Sequence, residues 1–337
     1  MRSRPKLLLL ESGDFSPAAL RVLRELADVI RTDKAGGDLR QLLPFCDMLW
    51  VRLRHRVDTQ MLRQAHNLKV IISGTTGLNH IDLDEALSRG IQVLSLRGEA
   101  DFLRDVRATA EHTLALMLAL IRHLPAAVQH VKTGAWNRDL FKGTELYGKT
   151  VGIVGYGRLG RIVARYLNAF EVNVLVCDPE LGLIPPLSDV TPVTLQELLK
   201  QSDLVTLHLS LNEQTVRCFG RPEFASMKPG AFFINTARGE LVDESALLHA
   251  LETEMLKGAA LDVICNEHSG PIDSPLIRYM QTHDNLIITP HVGGCTHESM
   301  EKTETYLARK LSELWSSREA APHRDAAGAP AGASNIR

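Results

Sequence analysis

Residues 149–161 read KTVGIVGYGRLGR, and this stretch decides the fold. Its apolar run VGIV predicts a short buried strand, and the residues that follow have helical spacing. Gly155, Gly157 and Gly160 stand between them in a G-x-G-x-x-G pattern. The first glycine of such a pattern permits a tight turn, the second lets a pyrophosphate approach the backbone, and the third allows close packing of helix on strand. Because the helix N-terminus then faces the phosphates, the stretch predicts a dinucleotide-binding unit.

An acidic residue farther along the chain supports this interpretation. Residues 171–177, EVNVLVC, predict the next strand, and Asp178 stands at its end. The spacing from Gly160 to Asp178 is 178 − 160 = 18 residues, which is close to that of the carboxylate that hydrogen-bonds a ribose diol. The alternative is an aspartate that only begins a turn before Pro179. A carboxylate repels a 2′-phosphate and no Arg or Lys follows in DPELG, so we expect NAD rather than NADP as the cofactor.

Composition limits the class of protein. The 337 residues suggest two domains, and 45% hydrophobic with 23% charged residues is typical of a globular protein. The formal net charge of −2 provides no general attraction to nucleic acid or to an anionic membrane, and the longest apolar run, residues 114–121, is too short to cross a bilayer. The five cysteines form no CxxC pair and no metal-ligand pattern is present. We therefore expect reduced thiols, a cytoplasmic location and no bound metal.

Strands and helices alternate along the chain. In its first part the apolar runs predict strands at 6–10, 47–51, 68–73 and 91–95, with a helix over 17–30. This order predicts an α/β fold of two Rossmann-like doubly wound domains. We place a discontinuous, flavodoxin-like substrate domain at 1–107 plus 292–318, a central NAD-binding domain at 108–291 and a disordered tail at 319–337. A helix over 108–124 is apolar around most of its circumference, so it is either a core helix or a connector that also packs across a subunit interface.

Three ionisable residues follow predicted strands of the central domain: Arg238, Glu267 and His291. Since ligands of open α/β sheets bind at the carboxyl ends of the strands, the three side chains can converge on one crevice. A guanidinium holds a carboxylate through paired hydrogen bonds, an imidazole exchanges a proton near neutral pH, and a carboxylate fixes the tautomer of that imidazole. Each residue taken alone could instead be an ordinary loop side chain. Asp262, at another predicted strand end, is a candidate acceptor for the nicotinamide carboxamide or a simple strand-end cap.

Arginines alternate at Arg52, Arg54 and Arg56, around His55. The alternation favours one solvated, charged face, because the surface is the usual position of arginine. The other interpretation is an anion site for a phosphorylated substrate.

Several motifs resemble those of the D-isomer-specific 2-hydroxyacid dehydrogenases. They are ELYGKTVGIVGYGRLGR, FFINTARGELVDE, GAALDV followed by Glu267, TPHVGGCTHES and the helix AEHTLALMLALIR. The similarity extends from Lys6 to Ser316. The combination of INTARG with TPHVGG is far more specific than the glycine turn, so the chain is identified as a member of this family.

The resemblance implies a role for each matching position. Arg238 corresponds to the arginine that binds the substrate, His291 to the catalytic acid/base, and Glu267 to the carboxylate partner of that histidine. The positions implied in substrate binding are Thr75, Thr76, Gly77, Arg238 and His291. The positions that match cofactor contacts are Gly155, Gly157, Arg158, Leu159, Gly160, Asp178, Thr215, Thr236, Ala237, Asp262 and Gly294.

The implied activity is hydride transfer between NAD(H) and a small D-2-hydroxy or 2-keto acid. The substrate would be of the 3-phosphoglycerate type or of the glyoxylate and hydroxypyruvate type. Members of the family are commonly homodimers joined through the helix that matches residues 108–124. A second possibility is an NAD-sensing, corepressor-like or other non-catalytic binding protein of the same fold, since such proteins keep the same catalytic set.

The chain departs from the usual family pattern in several places. Residues 98–110 form a longer segment than in most members, and Thr75 stands where many members have glycine. Glu267 lacks the proline that often follows it, and Ser210 replaces a common proline. The chain ends without the added regulatory domain of long phosphoglycerate dehydrogenases, so we expect no serine control through such a domain.

Overall fold

The structure is a computed structural model that describes residues 4–35, 38–180, 189–267 and 273–320. The chain forms two compact units, one of Met1–Leu96 with Glu301–Arg337 and the other of Arg97–Met300. Of the predicted disordered tail, residues 321–337 lie outside the described residues. Residues 319 and 320 continue the last helix, so the prediction of disorder is wrong for these two positions.

The first unit alternates strands and helices. Its strands are β1 (Lys6–Leu9), β2 (Asp28–Arg31), β3 (Met48–Val51), β4 (Val70–Ser73) and β5 (Gln92–Ser95). Its helices before residue 97 are α1 (Pro17–Leu26), α2 (Thr32–Ala35), α3 (Leu39–Leu42), α4 (Thr59–Gln64) and α5 (Leu83–Ser88). In the described part of this unit the strands form one parallel sheet in the order β2-β1-β3-β4-β5.

The sequence missed the edge strand β2. The predicted helix over 17–30 ends at Leu26, because Ala27 is extended and caps the helix through its backbone N–H to Leu23 O. Asp28–Arg31 then pairs in parallel with β1, residue for residue from Lys6 onward. The β-branched pair Val29 and Ile30 favours this strand, but its position directly after an amphipathic helix hid it.

The second unit has the same alternation. Its strands are β6 (Thr150–Val154), β7 (Asn173–Cys177), β8 (Thr191–Pro192), β9 (Leu204–Leu207), β10 (Ala231–Asn235), β11 (Leu256–Leu261) and β12 (Leu286–Ile288). Its helices are α6 (Ala100–Leu103), α7 (Ala108–Ile121), α8 (Leu124–Lys132), α9 (Arg158–Asn168), α10 (Leu195–Gln201), α11 (Arg221–Ser226), α12 (Glu244–Glu252) and α13 (Pro275–Met280). The last helix, α14 (His297–Ala320), begins in this unit and belongs to the first unit from Glu301 on.

Helices cover both faces of the second sheet. Within the described residues the strand order is β12-β11-β10-β9-β6-β7-β8, and every pairing is parallel. Successive residues of β10 point to different cores: Phe233 packs in one hydrophobic cluster, and Phe232 and Ile234 pack in the other. A sheet that is buried on both faces is the doubly wound arrangement. Both sheets confirm the predicted α/β class with two Rossmann-like domains.

Helix α7 is a core element of the second unit. Leu116, Met117 and Leu120 are buried in the same cluster as strand residues of β6 and β10. No single helix in the described ranges is long and apolar enough to cross a membrane, whereas a bent pair, Ala100–Ile121 with Leu124–Lys132 at 64°, meets the length and composition requirement as a pair.

Two stretches cluster with the second unit although the sequence placed them in the substrate domain: residues 97–107 and 292–300. The guanidinium of Arg158 donates to Leu103 O at 3.2 Å and to Val106 O at 3.0 Å. The carboxylate of Asp262 likewise accepts backbone N–H groups from residues 292 and 293. These long-range bonds attach both stretches to the nucleotide-binding sheet.

Arg52 lies in neither of the environments considered from the sequence. Its guanidinium forms an ion pair with Glu304 of α14, whose side chain is only 4% exposed. The same guanidinium donates to Gly13 O and lies over the ring of Phe15, and Glu304 also accepts the N–H of Ser16 at 2.7 Å. Arg54 and Arg56 are exposed, in keeping with a solvated face. Arg52 is therefore a partly buried structural charge whose carboxylate partner is buried.

The Arg52–Glu304 pair is expected to stabilise the first unit strongly. Glu304→Ala should lower the free energy of unfolding by about 2 kcal/mol or more, because it leaves a partly buried guanidinium without its counter-charge. Urea denaturation followed by tryptophan fluorescence measures this loss. Asp28→Ala removes the exposed ion pair with Arg4 in the same unit and should cost less than about 1 kcal/mol. Equal losses in the two variants would contradict the assignment.

Candidate active site

The carboxyl ends of the second sheet collect the residues that the sequence singled out. All its described strands are parallel, so the residues that follow β6, β7, β9, β10, β11 and β12 lie along one edge. Strand order reverses between β6 and β9, since the chain proceeds from β6 to β7 and β8 on one side and from β9 to β12 on the other. Open α/β sheets bind ligands at such a switch point.

The glycine turn between β6 and α9 has the shape that an anion site needs. Gly155 has φ +95°, and a Cβ atom there would lie 2.7 Å from the carbonyl carbon of His208. At Gly160 a Cβ would lie 2.2 Å from Gly155 O, so only glycine lets the helix pack this closely on the turn. Gly157, the N-cap of α9, has no atom within 4 Å of its Cβ position. The start of the helix is therefore open to a ligand, and its first turn holds no acidic residue.

Asp178 stands at the end of β7, beside this turn. Its Oδ2 accepts the N–H of Tyr156 at 2.7 Å, and its Oδ1 accepts the N–H of Glu180 at 2.9 Å. The carboxylate is thus held against the glycine turn by the backbone, where a ribose diol would meet it.

His208 follows β9 at the switch point and is not among the residues predicted from the sequence. Its Nε2 lies 3.1 Å from Thr206 Oγ1, while within the described residues its buried Nδ1 has no hydrogen-bond partner. Burial lowers the pKa of His208 to about 4, so the imidazole is neutral. An orphaned polar atom beside an open glycine turn and an oriented carboxylate fits a nucleotide ligand. The signal was present in LVTLHLS, where one histidine interrupts an apolar strand end.

His291 and Glu267 form a hydrogen-bonded pair. His291 Nδ1 lies 2.5 Å from Glu267 Oε1, and the two side chains are 20% and 15% exposed. Because the carboxylate accepts at Nδ1, the pair favours the tautomer whose Nε2 lone pair can take a proton. His291 has φ +53°, and its N–H donates to Asp262 O at 2.8 Å and to Thr289 O at 2.9 Å.

Arg238 follows β10 on the same edge. Its Nη1 donates to Ala237 O at 2.6 Å. Burial lowers the pKa of its guanidinium, and the nearby carboxylates of Glu267 and Glu240 oppose that shift. At Gly239 a Cβ would lie 2.1 Å from the carbonyl carbon of Ile264, so this glycine lets the end of β10 approach the segment that leads to Glu267. The structure thus brings Arg238, Glu267 and His291 together.

Asp262 lies beneath the turn that carries His291. The side chain is 1% exposed, and its two oxygens accept the N–H of Val292 at 2.9 Å and of Gly293 at 2.7 Å. Burial would raise the pKa of Asp262, but the hydrogen bonds from His112, Thr289 and these two backbone N–H groups keep that pKa below its usual value. The predicted contact with a nicotinamide carboxamide stays a prediction.

The remaining predicted cofactor positions lie near the same edge. Thr236 is buried with its hydroxyl 2.8 Å from Thr113 Oγ1, and Ala237 N donates to Asn235 Oδ1. Thr215 uses its hydroxyl within its own turn, where it donates to Ser210 O at 2.8 Å. The other members of the predicted set are Leu159, which is partly buried in the first turn of α9, and Gly294, which is exposed.

The predicted substrate loop lies in the first unit, directly after β4. The hydroxyl of Thr75 donates to Gly77 O at 2.8 Å and lies 2.9 Å from Ser73 Oγ, and Leu96 N donates to Thr75 O. These bonds fix the conformation of the turn, at a position where many family members have the more flexible glycine. Thr76 is exposed at the tip.

The described residues contain no group of three or more His, Cys, Asp or Glu side chains that could hold a metal ion.

Comparison with known families agrees with this geometry. Residues 114–293 match the family model described as D-isomer specific 2-hydroxyacid dehydrogenase, NAD binding domain. The chain belongs to this family. The matched range contains the glycine turn, Asp178, Arg238 and His291, so the second unit is the NAD-binding domain of a D-2-hydroxyacid dehydrogenase family member.

Two relatives align with most of the chain. A D-3-phosphoglycerate dehydrogenase of Methanocaldococcus jannaschii is 35% identical over 299 residues, which are 88% of this chain and 55% of that protein. A hydroxypyruvate reductase of Thermotoga maritima is 35% identical over 300 residues, which are 88% of this chain and 94% of that protein. The chain thus spans about half the length of the phosphoglycerate dehydrogenase and nearly the whole reductase.

A solved structure shares the fold. The D-lactate dehydrogenase of Aquifex aeolicus, crystallised with NAD and lactic acid, superposes with a TM-score of 0.78 at 27% identity. The match covers 93% of this chain and 96% of that one.

The neutral His208, whose Nδ1 is buried, is expected to make the free energy of unfolding depend on pH. The pKa of His208 falls from 6.5 to about 4 on folding. Between these two values the unfolded chain binds a proton at this histidine and the native protein does not. The contribution of neutral His208 to the free energy of unfolding is therefore complete above pH 6.5 and is lost as the pH falls toward 4. Urea denaturation at pH 7 and pH 5 should show a smaller acid loss for His208→Gln than for the wild type. His66→Gln, at an exposed histidine of the first unit, is the control. An unchanged pH dependence in His208→Gln would contradict the assignment.

Proposed function

We propose that this protein is an NAD-dependent dehydrogenase that interconverts a small D-2-hydroxy acid and its 2-keto acid. The single observation that carries the proposal is the His291–Glu267 pair, which lies on the same sheet edge as the open glycine turn. A proton-exchanging imidazole on the edge that binds the nucleotide is what hydride transfer to or from a carbinol carbon requires.

Arg238 orients the substrate in this proposal. One guanidinium N–H donates to Ala237 O, and the other N–H groups are the donors that we assign to the substrate's carboxylate and 2-oxygen. Paired N–H···O bonds fix the plane of a carboxylate, which a lysine ammonium would not do. The partial burial of Arg238 strengthens these bonds by excluding water.

His291 moves the proton. During oxidation its Nε2 accepts the proton of the 2-hydroxyl group, and during reduction it returns that proton to the 2-oxygen. Glu267 at Nδ1 holds the ring and stabilises the imidazolium that forms. NAD supplies the hydride acceptor at its nicotinamide ring when bound, and Asp178 favours it over NADP because a carboxylate repels a 2′-phosphate.

The substrate we propose is small and carries no phosphate. Arg52 is committed to Glu304 and Gly13 O, so it offers no free guanidinium to a substrate phosphate. We assign the exposed Arg54 and Arg56 to the solvated face. Thr75, Thr76 and Gly77 remain the predicted substrate-binding positions of the first unit, in a loop that side-chain hydrogen bonds hold in place. We also propose a cytoplasmic location, which the five free cysteine thiols support.

The proposed activity is tested by the oxidation of NADH with a panel of 2-keto acids: glyoxylate, pyruvate, hydroxypyruvate and phosphohydroxypyruvate. We expect turnover with an unphosphorylated acid, faster with NADH than with NADPH. His291→Asn should reduce kcat by about 10³-fold, since it removes the proton acceptor. His283→Asn, at an exposed histidine stacked on Tyr279, is the control and should retain activity. No turnover with any acid, or full activity in His291→Asn, would overturn the proposal.

We further propose that two copies of the chain form a homodimer through the surface of α8 and the segment that follows it. The described residues of α8 include no buried side chain, and Val128 and Val131 are exposed on it. Trp136 is 88% exposed, and Leu140 and Tyr147 are exposed nearby in the sequence. A concentration of exposed apolar and aromatic residues is typical of a subunit interface, whereas the apolar residues of α7 are largely used in the core of the unit.

The homodimer is tested by sedimentation equilibrium. The wild-type protein should have the mass of two chains, and Val128→Asp combined with Trp136→Ser should shift the equilibrium toward one chain, because a carboxylate placed in an apolar interface is desolvated without a partner. Leu87→Asp changes an exposed leucine of the first unit and should leave the mass unchanged. A monomeric wild type, or an unchanged mass in the double variant, would contradict this surface.

A further inference from the structure

His112 of α7 contacts the group of residues that holds the His291 turn. Its Nε2 lies 3.0 Å from Thr289 Oγ1 and 3.3 Å from Asp262 Oδ1. Its side chain is 20% exposed. The sequence pattern of this helix indicates a core or connector element and assigns no role to His112.

The hydrogen bonds determine which atoms carry protons. Thr289 Oγ1 lies 2.6 Å from Asp262 Oδ1, and a carboxylate only accepts, so the threonine hydroxyl donates its proton to the aspartate. The hydroxyl oxygen can then only accept from His112. Nε2 of His112 must therefore carry a hydrogen, which it shares between Thr289 and Asp262.

Asp262 transmits this contact to His291. The Asp262 carboxylate accepts the N–H groups of Val292 and Gly293, the two residues after the histidine. A Cβ on Gly293 would lie 2.8 Å from Asp262 Oδ2, so the turn follows the carboxylate closely. Since His291 itself has a positive φ of 53°, its backbone is strained and stays in place only while its neighbours hold it.

We infer that His112 is a positioning residue for proton transfer at His291: its Nε2–H and the Thr289 hydroxyl fix the Asp262 carboxylate from one side, and that carboxylate fixes the 291–293 turn from the other. This inference rests on the proposed dehydrogenase function. Without His112 the carboxylate loses a donor and can rotate, and the turn can then move His291 out of line with Glu267. A displacement of about 1 Å of a catalytic group can cost on the order of 100-fold in rate.

Steady-state kinetics separate positioning from binding. His112→Leu should reduce kcat about tenfold or more with KM changed less than about threefold, because Arg238 is untouched. The deuterium isotope effect on kcat with [4-²H]NADH should rise, since the chemical step becomes slower relative to product release. His112→Gln, whose amide can donate from a similar position, should restore most of kcat. Glu111→Gln, at the exposed neighbouring residue on α7, is the matched control and should behave as wild type.

A second variant removes the same bond from the other side. Thr289→Val should lower kcat as His112→Leu does, and the double variant should be no slower than the slower single variant, because both changes remove one network. Three results would overturn the inference: reductions in kcat that multiply in the double variant, a rise in KM with kcat unchanged, or no recovery of kcat in His112→Gln.

Hydrogen exchange of the free protein provides a readout independent of activity. In His112→Leu, amide exchange in the peptide that contains Val292 and Gly293 should accelerate about tenfold or more, while Glu111→Gln leaves it unchanged. If no keto acid is reduced by the wild type but this acceleration appears, the dehydrogenase proposal fails and the positioning of the turn holds. If the wild type reduces a keto acid, and His112→Leu changes neither turnover nor amide exchange, the inference about His112 fails and the dehydrogenase proposal stands.

Discussion

Parallel pairing of the strands in the second unit is the constraint on which the candidate site depends. Because β6, β7 and β9 to β12 run in one direction, the residue that follows each strand lies along the same edge. A guanidinium, an imidazole, a carboxylate and a glycine turn therefore meet although they are far apart in the sequence. The reversal of strand order between β6 and β9 opens the crevice at that edge, and the buried cores on both faces hold the strands that supply it.

Close backbone contacts at two glycines bring the elements of the candidate site together at this edge. At Gly160 a side chain would overlap the carbonyl of Gly155, and at Gly239 it would overlap the backbone of Ile264. The first contact brings the N-terminus of α9 against the turn, where its N–H groups face a ligand phosphate. The second brings the strand end that carries Arg238 against the segment that carries Glu267. Glycine at these two positions is therefore a requirement of the site and not a local preference.

Local patterns predicted most of the fold and much of the arrangement at the strand ends. Short apolar runs bounded by turn residues mark most of these elements in the sequence. They include the strand before the glycine turn and the strands before Asp178, Arg238 and His291. What the sequence could not predict depends on partners far along the chain. The Arg52–Glu304 pair joins residues 252 positions apart, and His112 meets Thr289 across 177 positions. No periodicity encodes such pairings, so the sequence pattern indicates a surface position for the partly buried Arg52 and no more than a place on a core helix for His112.

The two units differ in the groups that surround the switch points of their sheets. In the first unit the strand order reverses between β1 and β3. At that edge Glu11 accepts the backbone N–H groups of Arg54 and His55 at 3.1 Å, and its Oε1 lies 2.9 Å from Nδ1 of His55. In the second unit the turn between β6 and α9 has glycine at the N-cap of α9, no atom within 4 Å of the Cβ position of that glycine and no acidic residue in the first helical turn. Glu11 thus pairs with backbone N–H groups at the switch point of the first sheet, whereas the glycine turn and the start of α9 are shaped to receive the phosphates of a dinucleotide.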